Sequence, residues 1–247
     1  MTLAEYFKDH PRAALAFSGG VDSAYLLWAG KHYGCDLTAY YVHTAFQPEF
    51  EFRDARLLSQ EVGVPMVVVE ADILSVPLAA ANGPDRCYHC KTALFTRLWE
   101  AARQDGHTLL LDGTNASDNA GDRPGMRALR ELAVESPLRL CGLTKADVRA
   151  ASKEAGLFTW DKPAYACLAT RVPTGQAITQ EDLERVERAE DILFALGFTD
   201  FRVRLLSDAA RIQLPENQWE KGASKRREIL AALKPWFSTV TLDLEPR

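Results

Sequence analysis

The stretch AFSGGVDSAYLL, residues 16–27, predicts the architecture of the first part of this chain. An apolar run at 12–17 leads into a loop with two glycines, and a helical pattern follows directly. Such a loop directs backbone N–H groups and a helix N-terminus to one point, an arrangement that binds phosphate. Ser18 and Ser23 add hydroxyl donors, which a simple tight turn would not require.

Apolar runs and helical patterns alternate along the first two-thirds of the sequence. After 12–17, the predicted strands lie at 36–42, 65–70 and 108–113, and the predicted helices at 21–32, 48–62, 88–104 and 144–155. This alternation predicts an α/β fold with a doubly wound parallel sheet.

The composition changes after residue 172. A helix between Thr179 and Gly197 is followed by predicted strands at 201–206 and 210–215, a helix at 216–233 and a strand at 238–244. We therefore predict a larger α/β domain at 1–172 and a smaller α+β domain at 173–247.

Composition narrows the class of protein. The chain has 247 residues, 47% of them hydrophobic, with a net charge of −5 and an isoelectric point near 5.6. No apolar run is long enough to span a membrane, and the N-terminus is polar, so a cytoplasmic protein without membrane contact is expected. The acidic balance argues against a nucleic-acid partner. Of five cysteines, Cys35 and Cys141 have no companion and are expected in the core.

The segment PDRCYHCK, residues 84–91, places Cys87 and Cys90 at a spacing that serves several chemistries. Zinc with His89 or His43 as a further ligand, a redox pair and an iron-sulfur cluster all remain open from the spacing alone.

Three motifs together resemble one family. SGGVDS at 18–23 resembles the PP-loop of the ATP pyrophosphatase superfamily. With DGTN at 112–115, DRPG at 122–125 and ACLATRVPTG at 166–175, the chain resembles the LarE family of ATP-dependent sulfur transferases. The resemblance implies a PP-loop domain at 1–172 and a sulfur-transferase domain at 173–247. It also implies that the carboxylates of pyridinium-3,5-biscarboxylic acid mononucleotide are adenylated and then converted to thiocarboxylates, a step of nickel-pincer nucleotide biosynthesis.

The resemblance also implies site residues. For ATP and its Mg²⁺ they are Ser18, Gly19, Gly20, Asp22, Ser23, Asp112, Gly113, Thr114 and Arg123. Cys167 matches the family's sulfur-donating cysteine. Because some members combine three cysteines, Cys87, Cys90 and Cys167 are expected to bind a 4Fe-4S cluster that carries sulfide, with Zn²⁺ as the alternative.

Arginines of the second domain are expected to bind the substrate phosphate. Arg202 and Arg204 alternate on a predicted strand and so share a face, and Arg171 lies near Cys167. The resemblance assigns a divalent metal to Glu190. Gln213, however, replaces a carboxylate common among relatives, and a neutral amide is a weak ligand for such a cation.

Three alternatives stay open at this point: sacrificial transfer of the Cys167 sulfur, a tRNA-thiolating PP-loop enzyme, and a zinc-stabilised nucleotide-binding partner protein. The leading hypothesis implies a small-molecule nucleotide substrate, a sulfide donor that the sequence does not identify, and a homo-oligomer, up to a hexamer.

Overall fold

The computed structural model describes residues 1–118 and 124–247. The strands are β1 Arg12–Ala16, β2 Asp36–His43, β3 Met66–Glu70, β4 Leu110–Leu111, β5 Arg202–Leu206, β6 Ala209–Gln213 and β7 Thr239–Leu242. The α-helices are α1 Leu3–Asp9, α2 Val21–His32, α3 Glu49–Val62, α4 Pro77–Ala80, α5 Arg86–Gln104, α6 Pro124–Glu131, α7 Pro137–Leu140, α8 Lys145–Glu154, α9 Gln180–Ala195, α10 Trp219–Ser224 and α11 Arg226–Leu233. Short 3-10 helices span Ile73–Ser75, Leu168–Arg171 and Glu216–Gln218.

The chain folds as two compact units. The first unit consists of Met1–Val76 and Cys87–Lys162, and the second of Pro77–Arg86 and Pro163–Arg247. The predicted boundary lay at 172/173, without a contribution from 77–86. Segment 163–172 groups with the second unit because Arg171, inside it, forms a buried ion pair with Glu190 of α9. No local composition signal reveals a contact of that kind.

The first unit is built on a four-stranded parallel sheet in the order β3-β2-β1-β4. Alternate residues of β2 enter two separate cores. Ala39 and Tyr41 pack with apolar residues of α2 and α8, whereas Tyr40 and Val42 pack with Leu98 of α5. Helices thus cover both faces of the sheet, which confirms the predicted doubly wound α/β fold.

The second unit contains a three-stranded mixed sheet in which β6 pairs antiparallel with β5 and parallel with β7. Helix α9 begins at the predicted N-cap Thr179, whose hydroxyl accepts a hydrogen bond from the Asp182 N–H. The helix predicted over 216–233 is instead three short helices. Gly222 and Ser224, both weak helix formers, immediately precede the break between α10 and α11.

Within the described residues, no helix combines the length and the apolar character needed to cross a membrane.

Candidate functional site

The loop between β1 and α2 brings the predicted phosphate-binding residues together. Gly19 has a left-handed φ of 71°, and Gly20 is the N-cap of the 12-residue helix α2. The hydroxyl oxygens of Ser18 and Ser23 lie 3.0 Å apart. The Ser23 hydroxyl also donates to the carbonyl of Gly20 at 3.2 Å. Backbone amides, two hydroxyls and the positive end of a helix dipole therefore converge on one place, which suits a phosphate group.

Two glycines allow backbone segments to approach this loop closely. A Cβ added to Gly19 would lie 3.0 Å from the Ala55 Cβ on α3. A Cβ added to Gly113 would lie 2.8 Å from the backbone nitrogen of Ser23. The DGTN segment at 112–115, which follows β4 and is called the rim below, thus packs directly on the first turn of α2, where a side chain larger than hydrogen does not fit.

Asp22 is held by two partners from different parts of the first unit. The Asn115 amide donates to Asp22 Oδ1 at 3.2 Å, and the Lys145 ammonium lies 2.5 Å from Asp22 Oδ2. Asn115 belongs to the DGTN motif at 112–115, but Lys145 was not predicted as a site residue. A sequence signal did exist, since Lys145 opens α8 directly after the N-cap Thr144. A cation is disfavoured at that end of a helix, which indicates a role outside local stability.

Asp112 anchors the rim. Its carboxylate is buried and accepts hydrogen bonds from the hydroxyls of Thr114 and Ser136, both at 2.5 Å, and from the Thr114 N–H at 3.2 Å. In this structure Asp112 therefore fixes the backbone beside the phosphate loop. The predicted cofactor-binding Arg123 lies outside the described residues.

A cavity of about 130 Å³ adjoins the phosphate loop. Its walls come from the carboxyl ends of β1 and β2 and from α5, and they are lined by Ala16, Phe17, Ser18, Tyr40, Tyr41, Val42, Gln47, Leu94, Phe95 and Leu98. Mostly apolar walls with a few polar groups are typical of a small-molecule pocket. Because Ser18 belongs to both the cavity and the loop, a planar apolar group in the cavity could be joined to phosphates in the loop.

The second unit holds Cys167 in a tightly bonded turn. Cys167 is the N-cap of the 3-10 helix Leu168–Arg171 and is half-buried. Its carbonyl accepts hydrogen bonds from the N–H of Thr170 at 3.0 Å and from the Thr170 hydroxyl at 2.8 Å.

Arg171 and Glu190 form a buried ion pair behind this turn, with side chains 0% and 2% exposed. Two guanidinium nitrogens of Arg171 lie 2.7 and 3.1 Å from the two carboxylate oxygens. Glu190 also accepts hydrogen bonds from the Tyr165 hydroxyl and from the Val203 N–H. Burial alone would lower the pKa of Arg171, but the hydrogen bonds and charge of Glu190 outweigh it and raise that pKa.

Arg202 and Arg204 point to the same face of β5, toward the Cys167 segment. Arg202 donates to the carbonyl of Ala164 and Arg204 to the carbonyl of Thr170, both at 2.6 Å. Burial, and then the positive charge of Arg171, lower the pKa of both side chains. Arg171 bonds to the buried carboxylate of Glu190, and Arg202 and Arg204 lie close enough to feel its charge. Three guanidiniums near one buried carboxylate in the second unit favour an anion.

Gln213 is part of this arrangement. Its amide oxygen accepts a hydrogen bond from Arg204 at 2.5 Å, and its amide nitrogen donates to Asp243 at 2.8 Å. Gln213 thus links Arg204 to a carboxylate, and Glu190 is engaged by Arg171. These residues therefore do not fit the divalent metal that the resemblance placed at Glu190.

Comparisons with known proteins identify the family, although no protein-family profile matches the chain. An uncharacterized protein of Synechocystis sp. is 37% identical over 249 residues, which cover 98% of this chain and 92% of the relative. The pyridinium-3,5-bisthiocarboxylic acid mononucleotide synthase of Lactiplantibacillus plantarum is 36% identical over 217 residues, which cover 87% of this chain and 79% of the relative. The chain belongs to the LarE family. An uncharacterized protein of Methanocaldococcus jannaschii is 28% identical, with 98% of this chain and 93% of the relative covered. Membership in the LarE family confirms the resemblance seen in the motifs.

In this LarE-family chain, Cys87 lies in the first turn of α5 and Cys90 directly follows that turn, and their spacing of three places both on one helix face. Cys87 is exposed and Cys90 is half-buried. Leu94, one turn beyond Cys90, lines the cavity beside the phosphate loop. The cysteine pair and the cavity therefore share one face of α5.

The two histidines considered as zinc ligands have other contacts. The His89 ring stacks edge-on against Tyr88, with centroids 5.3 Å apart. His43 lies 3.0 Å from a carboxylate oxygen of Glu70 and stacks on Phe52. Among residues 1–118 and 124–247, no three His, Cys, Asp or Glu side chains are grouped so as to hold a metal ion. The third predicted cluster ligand, Cys167, belongs to the second unit.

Proposed function

We propose that this chain is an ATP-dependent sulfur transferase. It adenylates the carboxylates of pyridinium-3,5-biscarboxylic acid mononucleotide and converts them to thiocarboxylates. The observation that carries the proposal is the phosphate loop of Ser18 to Ser23 in a chain 36% identical to a pyridinium-3,5-bisthiocarboxylic acid mononucleotide synthase.

The first unit is proposed to perform the adenylation. The nucleobase occupies the apolar cavity next to Ser18, and the phosphates lie against the loop amides and hydroxyls. Lys145 exchanges its bond to Asp22 for a phosphate oxygen when ATP binds. Mg²⁺ bound through Asp22 and phosphate oxygens would neutralise charge there.

Adenylation makes the later sulfur transfer feasible. A substrate carboxylate oxygen bonds to the α-phosphorus of ATP, and the bond to the β-phosphate oxygen breaks to release pyrophosphate. Sulfur then bonds to the acyl carbon, and the carbon–oxygen bond to AMP breaks. AMP leaves readily, whereas the oxide that would have to leave the free carboxylate does not. The excess positive charge around Arg171, Arg202 and Arg204 would hold the phosphate of the substrate nucleotide in the second unit.

The sulfur source is proposed to depend on Cys87, Cys90 and Cys167. Two thiols near the N-terminal end of α5 suit cluster ligation, because their spacing of three places both on one face of the helix. A 4Fe-4S cluster on these three thiolates would leave one iron open to exogenous sulfide, and would thus supply a renewable sulfur nucleophile. The competing mechanism transfers the Cys167 sulfur itself and leaves dehydroalanine behind.

A single-turnover and multiple-turnover assay tests both steps. Anaerobically purified protein is incubated with ATP, sulfide and the mononucleotide, and product and intact protein are examined by mass spectrometry. We expect AMP, pyrophosphate and thiocarboxylate, with Cys167 intact after several turnovers. Release of ADP and phosphate would contradict the adenylation.

Mass changes and variants separate the sulfur sources. Loss of one H₂S from Cys167 after a single turnover would establish the sacrificial mechanism instead. Cys87→Ala should abolish multiple turnover. Cys141→Ala, outside the proposed site, is the matched control.

A further inference from the structure

The excursion formed by residues 77–86 leaves the first unit and packs within the second. At its centre Asn82 is fully buried and has a left-handed φ of 55°. Asparagine adopts this conformation more readily than most residues, but the conformation still costs free energy. It is therefore kept only where surrounding contacts hold the backbone in place. Contacts of Asn82 within the second unit must therefore hold this segment in place.

Asn82 binds the chain that follows Cys167. Its side-chain nitrogen lies 2.9 Å from the carbonyl oxygen of Pro173, 3.0 Å from that of Gln176 and 3.3 Å from that of Val172. Its own carbonyl accepts the N–H of Gly175 at 2.9 Å. The Asn82 side chain thus binds three backbone carbonyls of 172–176 and its backbone carbonyl binds a fourth group, the Gly175 N–H, and leaving these groups unsatisfied would be costly.

Arg86 continues this bonding toward the cysteine. Its Nη1 atom donates to the Asn82 side-chain oxygen at 2.7 Å and to the carbonyl of Ala169 at 3.0 Å. Ala169 lies in the 3-10 turn whose N-cap is Cys167. A continuous hydrogen-bond path therefore runs from Asn82 through Arg86 into the turn that carries Cys167.

We propose that Asn82 and Arg86 are positioning residues for Cys167, which fix the backbone of its turn so that the thiol is presented in one orientation. This inference rests on the proposed function insofar as Cys167 takes part in sulfur transfer. Arg171, inside the turn, donates to the carbonyl of Ala166, and Arg202 and Arg204 of β5 donate to the carbonyls of Ala164 and Thr170. Asn82 and Arg86 bond to the same segment from the N-terminal side of the sequence. Asn82 and Arg86, together called the clamp, thus add to the contacts that the three arginines make with the backbone around Cys167.

The test uses Arg86→Met, which keeps the aliphatic stem and removes the donors, and Asn82→Gly, which keeps the left-handed backbone accessible. Arg86→Lys is the conservative variant. Arg97→Gln, at an exposed arginine of the same helix that forms a surface ion pair with Glu100, is the matched control. Thermal unfolding identifies variants that lose the whole fold.

The first measurement is independent of substrate. We expect alkylation of Cys167 and amide exchange over 166–171 to accelerate about tenfold or more in Arg86→Met and Asn82→Gly, because lost hydrogen bonds lower the free energy of local opening. Arg86→Lys should be intermediate and Arg97→Gln unchanged. Rates within about twofold of the wild type in both clamp variants, well below the effect of one lost hydrogen bond, would overturn the proposal.

The second measurement separates positioning from general damage. Sulfur transfer should slow by about tenfold in Arg86→Met, while ATP–pyrophosphate exchange and the KM for ATP stay unchanged. Equal losses in both reactions would indicate general destabilisation and overturn the positioning role. If the wild-type protein transferred no sulfur, the proposed function would fail, and the alkylation and exchange rates would still decide the role of the clamp.

Discussion

Replacing Glu190 by glutamine should destabilise the second unit severely. Glutamine has nearly the same shape but no charge, so the Arg171 guanidinium would stay buried without its counterion. The positive charge of Arg171 lowers the pKa of the nearby Arg202. Without the Glu190 carboxylate, these two positive charges would repel each other with no negative charge between them. The Tyr165 hydroxyl and the Val203 N–H would also lose a charged acceptor.

The size of the effect follows from burial. Removing one partner of a buried ion pair costs about 3–5 kcal/mol, and side chains that are 0% and 2% exposed place this pair in that class. For a unit of this size, that loss corresponds to a melting temperature lower by about 15 °C or more.

Urea unfolding followed by hydrogen-exchange mass spectrometry of peptides from 163–247 measures the loss in the second unit directly. Glu184→Gln is the control, because Glu184 lies on α9 but is exposed, and should change stability by less than about 0.5 kcal/mol. Removal of divalent cations with EDTA should leave the wild type unchanged, because Arg171 rather than a metal neutralises Glu190.

Two results would refute this reasoning. A Glu190→Gln variant as stable as Glu184→Gln would show that the ion pair contributes little. An EDTA-treated wild type that loses as much stability as the variant would show that Glu190 binds a metal in solution.

Three further predictions concern the first unit. Gly113→Ala, whose methyl would meet the Ser23 nitrogen at 2.8 Å, should slow ATP–pyrophosphate exchange about tenfold or more, and an unchanged rate would contradict the close packing of the rim on α2. Lys145→Met should raise the KM for ATP about tenfold, because a charged contact to phosphate is lost, and Lys145→Arg should raise it less. A change in stability without a change in KM would show that Lys145 only holds Asp22. Burial, and then the charge of the neighbouring aspartate, raise the pKa of Cys35 to about 11. Because the thiolate is therefore scarce at neutral pH, Cys35 alkylation should rise about tenfold per pH unit from pH 8 to 10, and a plateau in that range would contradict the raised pKa.

The fold of the first unit could largely be predicted because its signals are local. The predicted helix at 21–32 matches α2, and the capping box of Thr144 and Asp147 appears as expected at the start of α8. Helix α1 was missed although Thr2 and Glu5 form a capping box as well. With only seven residues, α1 offers too short a periodic pattern to distinguish it from a loop.

The phosphate loop was predictable for the same reason, since its residues are adjacent in sequence. The partners of Asp22 and Glu190 were not. Lys145 lies 123 residues from Asp22, and the Arg171–Glu190 pair joins the 3-10 helix after Cys167 to α9, 19 residues along the chain. Charge pairing over such separations leaves no periodicity in the sequence, because only the packing of the elements brings the residues together.

The excursion of residues 77–86 also imposes an order on folding during synthesis of the chain. The three carbonyl partners of the Asn82 side chain follow it by 90, 91 and 94 residues. At a ribosomal rate of about 5–20 residues per second, the amide leaves the tunnel several seconds before its partners exist. During that interval the carbonyls that hold the left-handed backbone of Asn82 are missing. The excursion therefore stays unfolded while the sheet of β1 to β4 is assembled. The second unit can complete its fold only when residues 163–247 pack onto residues 77–86, which were synthesised earlier.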